Sequence, residues 1–188
     1  MYLIAGLGNP GLSYKKTRHN AGFLALDRLA EQARISVKQK RFSALTGEGV
    51  ITGQKVLLQK PQTYMNLSGN AVAGALRYYQ IPPERLIVLY DDIAIPAGAI
   101  RVRGHGSGGS HNGMRHIIAC LGTEAFPRVR IGIGQDESLM LRDYVLKRPG
   151  KDERALLNEA YEHAAEAVTL ILEGKLEAAQ AKYNTGKI

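Results

Sequence analysis

The chain has 188 residues, of which 45% are hydrophobic and 22% are charged, and this is ordinary for a globular protein with one core. Its 25 lysines and arginines against 17 aspartates and glutamates give a net charge of +8, which favours a polyanionic partner such as nucleic acid. The start of the chain lacks a secretory signal, no segment is long and apolar enough to span a bilayer, and a single cysteine excludes an internal disulfide, so we expect a cytoplasmic protein.

The spacing of apolar residues predicts strands and helices along the whole chain, with no long linker and no repeat. In chain order, it predicts a strand at 2–5, a helix at 20–33, strands at 42–51 and 55–59, a helix at 68–80, strands at 86–90 and near 99–103, a helix at 111–121, a strand at 128–134, a short helical turn at 143–146, and helices at 152–173 and 175–183. This order predicts an α/β fold: a single domain over residues 1–188, with a mixed, twisted β-sheet flanked by helices on both faces in three layers (α/β/α).

Local signals refine these predicted elements. The apolar run Leu86–Tyr90 indicates a central strand that is covered on both faces. Pro61 has no N–H for a sheet ladder, so the chain is expected to form a loop there. Asn20 and Ser68 are suitable N-caps for the helices that follow them. Cys120 lies in an apolar helical pattern and is expected to be a small buried hydrophobe.

Polar loops follow three of the predicted strands. They come after the strand at 2–5, after the hairpin, and after Leu86–Tyr90. If the carboxyl ends of these strands share one edge of the sheet, the loops converge there. That edge is where α/β proteins commonly bind their ligands, so we expect the functional site in this place.

The first of these loops, Gly6–Asn20, contains GLGNPG, which matches the G-x-G-x-x-G pattern of dinucleotide-binding proteins. That pattern needs a helix directly after the glycines, and an acidic residue about 20 residues further on at the end of a second strand. Here residues 12–18 intervene, and Asp27 and Glu31 lie inside the predicted helix. These mismatches disfavour a nucleotide-dependent oxidoreductase. The glycines are instead expected to shape a turn.

Two titratable residues of the converging loops suit acid–base chemistry. His19 can serve as a general base near neutral pH, although a histidine at a helix start is often only a capping or surface residue. Asp91 ends the apolar strand and can orient an imidazole, although an ordinary turn uses the same residue type. A metal site would need more acidic ligands than the sequence places nearby.

Amide and aromatic side chains in the same loops are candidates for substrate contact. Asn66 and Asn112 each precede a predicted helix, so their amides can bind a substrate carbonyl or cap that helix. Tyr14 and Tyr64 can stack on a substrate or pack against the protein.

Other motifs for metal binding and catalysis do not fit. His105, His111 and His116 are not spaced as three ligands on one element, so we expect no zinc site. The segment Gly104–Ser110 has neither the flanking glycines of a nucleophile elbow nor the lysine of a Walker A motif. Its glycines leave two alternatives open, namely backbone N–H groups that approach a phosphate, or a flexible lid.

Two predicted strands carry arginines at alternate positions. Alternate residues share one face of a strand, so Arg101 with Arg103, and Arg128 with Arg130, are expected to form a basic patch. Guanidinium groups bind phosphate through two parallel hydrogen bonds, which suits a nucleic-acid substrate. A solvated strand face without a ligand is the alternative.

Six ordered blocks of sequence together resemble the bacterial peptidyl-tRNA hydrolase family over residues 2–183. The blocks are GLGNPG, TRHNAG, KPQTYMNLSG, LYDDIAIPAGAIRVR, GSHNGMRHI and RVRIGIG. The resemblance implies a monomeric α/β esterase that needs no metal and no cofactor. It implies cleavage of the ester between a peptide and the 3′ end of tRNA, which recycles tRNA from peptidyl-tRNA released prematurely by ribosomes. A non-catalytic RNA-binding module that uses only the arginine strands is the alternative.

The resemblance also implies roles for individual residues. His19 in TRHNAG matches the catalytic base, Asp91 in LYDD matches the carboxylate that supports it, and Asn9 in GLGNPG matches the asparagine that selects blocked over free aminoacyl-tRNA. Arg103 and Arg130 match basic positions that clamp the 5′-phosphate of tRNA. The positions that match contacts with the tRNA end or the peptide are Tyr14, Tyr64, Asn66 and Asn112, with Met65 packing in the same cleft.

The chain departs from the family pattern at a few positions. The family usually has glutamate where this chain has Asp92, glycine where it has His105, and GGHNG where it has GSHNG with Ser110. The segment 135–144 is shorter than usual. These departures bear on the lid and on the grip on tRNA, and they leave the base and its carboxylate unchanged.

Overall fold

The computed structural model describes residues 1–185 and contains a sheet of seven strands. All of them except β2 contribute buried apolar side chains to the cores. The strands are Tyr2–Gly6 (β1), Gln39–Arg41 (β2), Ala44–Ile51 (β3), Gln54–Pro61 (β4), Leu86–Asp92 (β5), Ile100–Arg103 (β6) and Arg128–Gly132 (β7).

The strands are arranged in the order β2-β3-β4-β1-β5-β7-β6. The four neighbouring strands β4, β1, β5 and β7 run parallel, whereas β2, β3 and β6 pair antiparallel with their neighbours. The carboxyl ends of β1, β4 and β5 therefore meet at one edge of the sheet. The convergence of the three polar loops at that edge is confirmed.

Helices cover both faces of the sheet, so the predicted three-layer α/β/α arrangement is confirmed. One apolar core lies between the sheet and α1, α5 and α6, and a second lies between the sheet and α2 and α3. Burial of each large aliphatic side chain in these cores contributes about 1.5–3 kcal/mol. The helices are Ala21–Ala33 (α1), Ser68–Tyr79 (α2), Asn112–Leu121 (α3), Leu141–Val145 (α4), Lys151–Leu172 (α5) and Leu176–Tyr183 (α6). Within residues 1–185, no helix is long and apolar enough to cross a membrane.

Glycines bring α1 unusually close to the central strands. A Cβ atom on Gly22 would lie 2.3 Å from the carbonyl oxygen of Leu89, and one on Gly6 would lie 2.3 Å from the carbonyl oxygen of Gly22. A Cβ atom on Gly8 would lie 2.6 Å from the ring of Phe23. Gly6 and Gly8 thus permit close approach, whereas Gly11, with a φ angle of 105°, has the turn-shaping role that was expected of the loop glycines. The close approach fixes the start of α1, and therefore the histidine just before it, against the sheet.

Several local predictions were wrong. Pro61 ends β4 opposite Ala44, because a terminal strand position does not need its missing N–H. The amide of Asn20 bonds to the backbone of a neighbouring loop and does not cap α1, and the hydroxyl of Ser68 donates to the carbonyl of Met65 and does not cap α2. Cys120 is exposed, because its position on α3 turns toward solvent.

The short strand β2 was not predicted. Its sequence, Gln39-Lys40-Arg41, has no apolar residue and therefore no detectable alternation. It forms because the tight turn that follows it folds the chain back onto β3, where Gln39 pairs with Thr46.

Candidate active site

An open cleft of about 1000 Å³ lies at the edge where the parallel strands end. Its walls come from the loops after β1, β4 and β5, the glycine-rich segment Gly104–Ser110, and α4. Tyr14 does not line the cleft, and packs edge-on against Tyr64 at its rim with ring centroids 6.4 Å apart. The other predicted site residues all line it: Asn9, His19, Tyr64, Met65, Asn66, Asp91, Arg103, Asn112 and Arg130.

His19 lies in the middle of a 3-10 turn, Arg18–Asn20, whose two flanking residues are buried. On one side, the amide of Asn20 donates to the carbonyl of Asn9 at 3.0 Å and accepts from its N–H at 2.9 Å. On the other side, the guanidinium of Arg18 makes two 2.7 Å bonds to the carboxylate of Glu153 at the start of α5. The turn is therefore fixed on both sides, to the loop after β1 and to the start of α5.

The Arg18 contact is more than a surface ion pair. Its guanidinium also donates to the carbonyls of Tyr144 and Lys147, and its central carbon stacks 4.3 Å from the centre of the Tyr144 ring. Hydrogen bonding to Glu153 raises the pKa of Arg18, because this attraction exceeds the effect of burial. Arg18 therefore joins the histidine turn to the segment that carries α4.

His19 and Asp91 form a hydrogen-bonded pair on the floor of the cleft. The Nδ1 atom of His19 lies 2.9 Å from Oδ2 of Asp91, whose side chain is 2% exposed. Burial lowers the pKa of His19, but attraction to the Asp91 carboxylate outweighs it, so that the pKa is raised above its ordinary value of 6.5. No residue within the described range 1–185 hydrogen-bonds to Nε2 of His19, which leaves that atom for a substrate or a water.

A second histidine, His111, binds the same carboxylate and was not among the predicted site residues. Its Nε2 lies 2.9 Å from Oδ1 of Asp91. The backbone N–H of Met114 donates to Nδ1 of His111 at 3.2 Å, so Nδ1 is the unprotonated nitrogen and Nε2 carries the hydrogen. His111 therefore donates to Asp91 as well.

The two imidazoles explain why Asp91 stays ionised in a buried place. Burial raises the pKa of its carboxyl group, but attraction to His19 and His111 and their hydrogen bonds outweigh this, so that the net pKa lies well below its usual range. The sequence did contain a signal for His111, namely a histidine at the start of a helix, next to a loop at the same edge of the sheet. That signal was weak because Asp91 lies 20 residues away.

His111→Ser is expected to lower kcat by about tenfold and to move the acidic limb of the pH–rate profile to higher pH. Serine can still cap α3 but is too short to reach Asp91, so the carboxylate loses one donor and attracts the proton of His19 more strongly. Kinetics from pH 5 to 9 on the wild type and the variant will measure the shift. An unchanged acidic limb would show that His111 does not act on His19 through Asp91.

Asn9 presents an amide N–H group to the cleft. The backbone N–H of Met65 donates to Oδ1 of Asn9 at 2.7 Å, and this bond fixes the orientation of the carboxamide. Among the described residues 1–185, none accepts a hydrogen bond from Nδ2. The amide nitrogen therefore remains available as a donor to an oxygen of a bound molecule.

Asn66 and Asn112 are both exposed and line the cleft. Asn112 is the first residue of α3, and the side chain of His111 caps that helix in its place. Asn66 lies in a 3-10 turn, Met65–Leu67, that has no side-chain cap. Since neither amide caps a helix, both are available for a ligand.

The four arginines of β6 and β7 face the same side of the ladder but differ in their accessibility. Arg101 is buried, and its guanidinium donates to the carbonyls of Ile100 and Tyr183. Arg128 is also buried, and it donates to the carbonyls of Gly106, Ser107, Glu124 and Phe126. The predicted patch of four arginines is thus wrong for two of them, because backbone carbonyls already occupy their donors.

Arg103 and Arg130 line the cleft. Arg103 is exposed, and Nε of Arg130 donates to Oδ2 of Asp92 at 2.7 Å. The side chain of Arg130 is 24% exposed despite this ion pair. These two cations form the basic end of the cleft, next to the glycine-rich segment.

The glycine-rich segment is held by arginines from both sides. Arg128 donates to the carbonyls of Gly106 and Ser107, and Arg115 donates to the carbonyl of Gly109 at 2.6 Å. Because these bonds use carbonyl groups, they leave backbone N–H groups of the segment for other partners.

His19, Asp91 and His111 also form a group that could hold a metal ion, since their ligand atoms lie within 4.8 Å of one another. However, each imidazole nitrogen lies 2.9 Å from a carboxylate oxygen, which is the length of an N–H···O⁻ hydrogen bond. The nitrogen that faces the carboxylate in His111 is the protonated one, as the Met114 contact requires. The arrangement therefore fits a hydrogen-bonded cluster.

The fold and the cleft together define an α/β protein whose cleft contains a buried carboxylate behind a histidine and arginines at one end. The family profile described as peptidyl-tRNA hydrolase matches residues 3–188. A peptidyl-tRNA hydrolase of Caldanaerobacter subterraneus subsp. tengcongensis is 50% identical over 184 residues, which is 98% of this chain and 100% of that protein. One of Carboxydothermus hydrogenoformans is 50% identical over 186 residues, which is 99% of this chain and 100% of that protein.

Solved structures agree with these sequence comparisons. The crystal structure of peptidyl-tRNA hydrolase from Acinetobacter baumannii superposes with a TM-score of 0.93 at 38% identity, and the match covers 100% of this chain and 96% of that chain. The chain belongs to the peptidyl-tRNA hydrolase family. It is an enzyme that hydrolyses the ester bond between a peptide and tRNA.

Proposed function

We propose that His19 is the general base of this hydrolysis and that Asp91 orients it. The observation that carries the proposal is the 2.9 Å bond from Nδ1 of His19 to Asp91, made at the surface of the cleft. This bond places the hydrogen on Nδ1 and leaves Nε2 with the lone pair that a base requires. A base within hydrogen-bonding reach of a water typically contributes about 10²–10⁴ to the rate.

In the proposed reaction, Nε2 of His19 removes a proton from water as the water oxygen bonds to the ester carbonyl carbon. The negative charge that develops on the carbonyl oxygen is stabilised by amide donors, of which Nδ2 of Asn9 is the best positioned. The carbon–oxygen bond to the terminal ribose then breaks, and protonated His19 returns the proton to that oxygen. The products are a free peptide and a tRNA with a free hydroxyl group.

Asn66, Asn112 and Met65 are proposed to position the acyl group. Both amides line the cleft, and Met65 supplies an apolar surface that is 5% exposed. Through its N–H, Met65 also fixes the amide of Asn9. Such positioning reduces the entropy lost on reaching the transition state.

Arg103 and Arg130 are proposed to bind the 5′-phosphate of tRNA while its 3′ acceptor end enters the cleft. Both side chains line the cleft, and they belong to paired strands at one end of the sheet. Asp92 holds Arg130 through Nε, which directs the guanidinium and leaves its other donors for a phosphate.

The double variant Arg103→Ala, Arg130→Ala is expected to raise KM for peptidyl-tRNA by about tenfold or more, with little change in kcat. Two phosphate contacts are lost, and the dependence of KM on salt becomes less steep. Kinetics at several salt concentrations will test this. Substrate without a 5′-phosphate serves as the control, because the wild type should lose affinity for it and the variant should not; an equal loss in both proteins would contradict the assignment.

A comparison of two substrates tests the proposed function directly. The protein is mixed with an N-acetylated aminoacyl-tRNA and with the same aminoacyl-tRNA unblocked, and release of the acyl group is followed. We expect rapid release from the first only. Cleavage of neither substrate, with tRNA still bound, would indicate an RNA-binding module instead.

We also propose that the reaction needs no metal and no cofactor, that the protein acts as a monomer, and that it works in the cytoplasm, where its substrate forms. The hydrogen-bonded state of His19, Asp91 and His111 supports metal-free catalysis. The assay above is therefore expected to give the same rate with and without EDTA. Light scattering of the purified protein will give its mass in solution.

A further inference from the structure

An aromatic cluster lies at the β2 edge of the sheet, outside the cleft. It consists of Arg41, Phe42, Tyr78 and Tyr79, which we call the edge cluster. The ring of Phe42 lies 5.2 Å from that of Tyr78 and 5.9 Å from that of Tyr79, measured between centroids. The guanidinium of Arg41 lies 4.8 Å from the centre of the Phe42 ring. Tyr78 is 64% exposed, so the cluster presents aromatic surface to solvent.

The backbone around this cluster is held in conformations that favour glycine. Phe42 and Ser43 form the turn between β2 and β3 with φ angles of 54° and 51°, and Tyr64 at the cleft has a φ angle of 60°. A non-glycine residue in this region costs on the order of 1 kcal/mol, and such turns usually contain Asn-Gly. The chain thus carries aromatic rings at two positions whose backbone conformation favours glycine, and strain of this kind is typical of functional surfaces.

The edge cluster is joined to the rim of the cleft by a short segment. The backbone N–H of Gln62 donates to the carbonyl of Ser43 at 2.8 Å, and Tyr64 follows two residues later. Two residues span at most about 7 Å. From Tyr64, which lines the cleft, the ring of Tyr14 is 6.4 Å away. A short stretch of backbone therefore connects the aromatic residues at the rim of the cleft with those at the edge of the sheet.

Both ends of this surface carry basic side chains, but the β2 end also presents clustered aromatic rings. The phosphate-binding arginines lie on β6 and β7, whereas the edge cluster adjoins β2 at the opposite end of the strand order. Within the cluster, the guanidinium of Arg41 already donates to the hydroxyl of Tyr79 at 2.7 Å and to Glu48 at 3.4 Å. The arginine end thus suits the polyanionic tRNA. The aromatic end suits the other part of the substrate, the largely uncharged peptide.

Building on the proposed function, we propose that the edge cluster, with Tyr64 and Tyr14, binds the peptide part of the substrate some residues before the ester. Strand β2 lies four strand spacings from β5, which carries Asp91. Four spacings are about 19 Å, and an extended peptide covers that distance in about six residues. The expected ligand is a peptide with apolar or aromatic side chains in that region.

Three substrates with the same tRNA and the same C-terminal residue test this proposal. They are an acetylated single aminoacyl-tRNA, an acetylated heptapeptidyl-tRNA with leucine and phenylalanine at its distal positions, and one with serine and glycine there. The variants are Phe42→Gly, which suits the turn, and Tyr78→Ala. Leu156→Ala is the matched control, because Leu156 is 48% exposed on α5, on the other face of the sheet.

We expect both variants to raise KM for the apolar heptapeptidyl-tRNA by about three- to tenfold, which corresponds to the loss of one or two aromatic contacts. The values of kcat, and of KM for the other two substrates, should not change.

Two outcomes would overturn the proposal. The first is no change for the apolar heptapeptide. The second is an equal rise in KM for all three substrates, which would indicate that the cluster contacts tRNA. The exposed Lys40 and Arg77, which adjoin the cluster residues in sequence, would account for such a contact. A wild type that cleaves none of the three would instead contradict the proposed function.

Discussion

Replacing His19 by alanine is expected to lower kcat on the order of 10³–10⁴-fold while the protein stays folded. The variant loses the proposed base, and no other described side chain is bonded to Asp91 except His111, whose Nε2 points its hydrogen at the carboxylate and cannot accept a proton. The fold should persist because the 3-10 turn is held by Arg18 and Asn20, not by the imidazole. Single-turnover kinetics with acetylated aminoacyl-tRNA will measure the loss.

His163→Ala is a suitable control for this experiment. His163 lies on α5, packs beside Tyr183 with ring centroids 5.5 Å apart, and does not line the cleft. Its removal should leave kcat unchanged. A folded His19→Ala protein with near-normal turnover would refute the role of His19 as base.

Asp91→Asn is expected to lower kcat by about 10²–10³-fold, less than the loss of His19 itself. His111 donates through Nε2 and will take the amide oxygen of the new asparagine. The amide NH₂ group then faces Nδ1 of His19 and donates to it. The tautomer equilibrium of His19 is thereby shifted toward hydrogen on Nε2, which cannot act as a base, and only the remaining fraction with hydrogen on Nδ1 supports catalysis.

The pH dependence of the same variant gives a second, independent measurement. His19 acts only when it is unprotonated, and Asp91 raises its pKa above 6.5, so the wild-type rate should rise with pH through a midpoint above that value. Without the carboxylate, the pKa of His19 falls and the acidic limb moves to lower pH. Higher activity in Asp91→Asn, or an acidic limb at higher pH, would contradict the orienting role of Asp91.

The sheet, its flanking helices and the place of the site were predictable because apolar periodicity is a local property of the sequence. The strand Leu86–Asp92 and the helix Lys151–Leu172 lie within two residues of their predicted bounds. Strand β2 escaped prediction because its three polar residues form a strand only through the turn that follows. The close-approach role of Gly6 and Gly8 escaped prediction for a similar reason: their neighbours are atoms of a helix that only the folded chain brings near.

The site was predictable in its residue types but not in its hydrogen-bond network. His19 and Asp91 were recognised because a histidine and a carboxylate at strand ends suggest acid–base chemistry. His111 was missed, since its role depends on a contact with Asp91 across two loops. Arg101 and Arg128 looked identical in pattern to Arg103 and Arg130, and only the carbonyl groups around each guanidinium separate the two pairs.

The bond between Arg18 and Glu153 joins residues 135 positions apart. Protein synthesis proceeds from the N-terminus, so the turn that carries His19 is made early and its partner on α5 is made late. During translation this chain is itself a peptide esterified to tRNA, the type of bond that the finished enzyme cleaves. The lateral support of the histidine is completed only after residue 153 has left the ribosomal tunnel, and earlier nascent forms lack it.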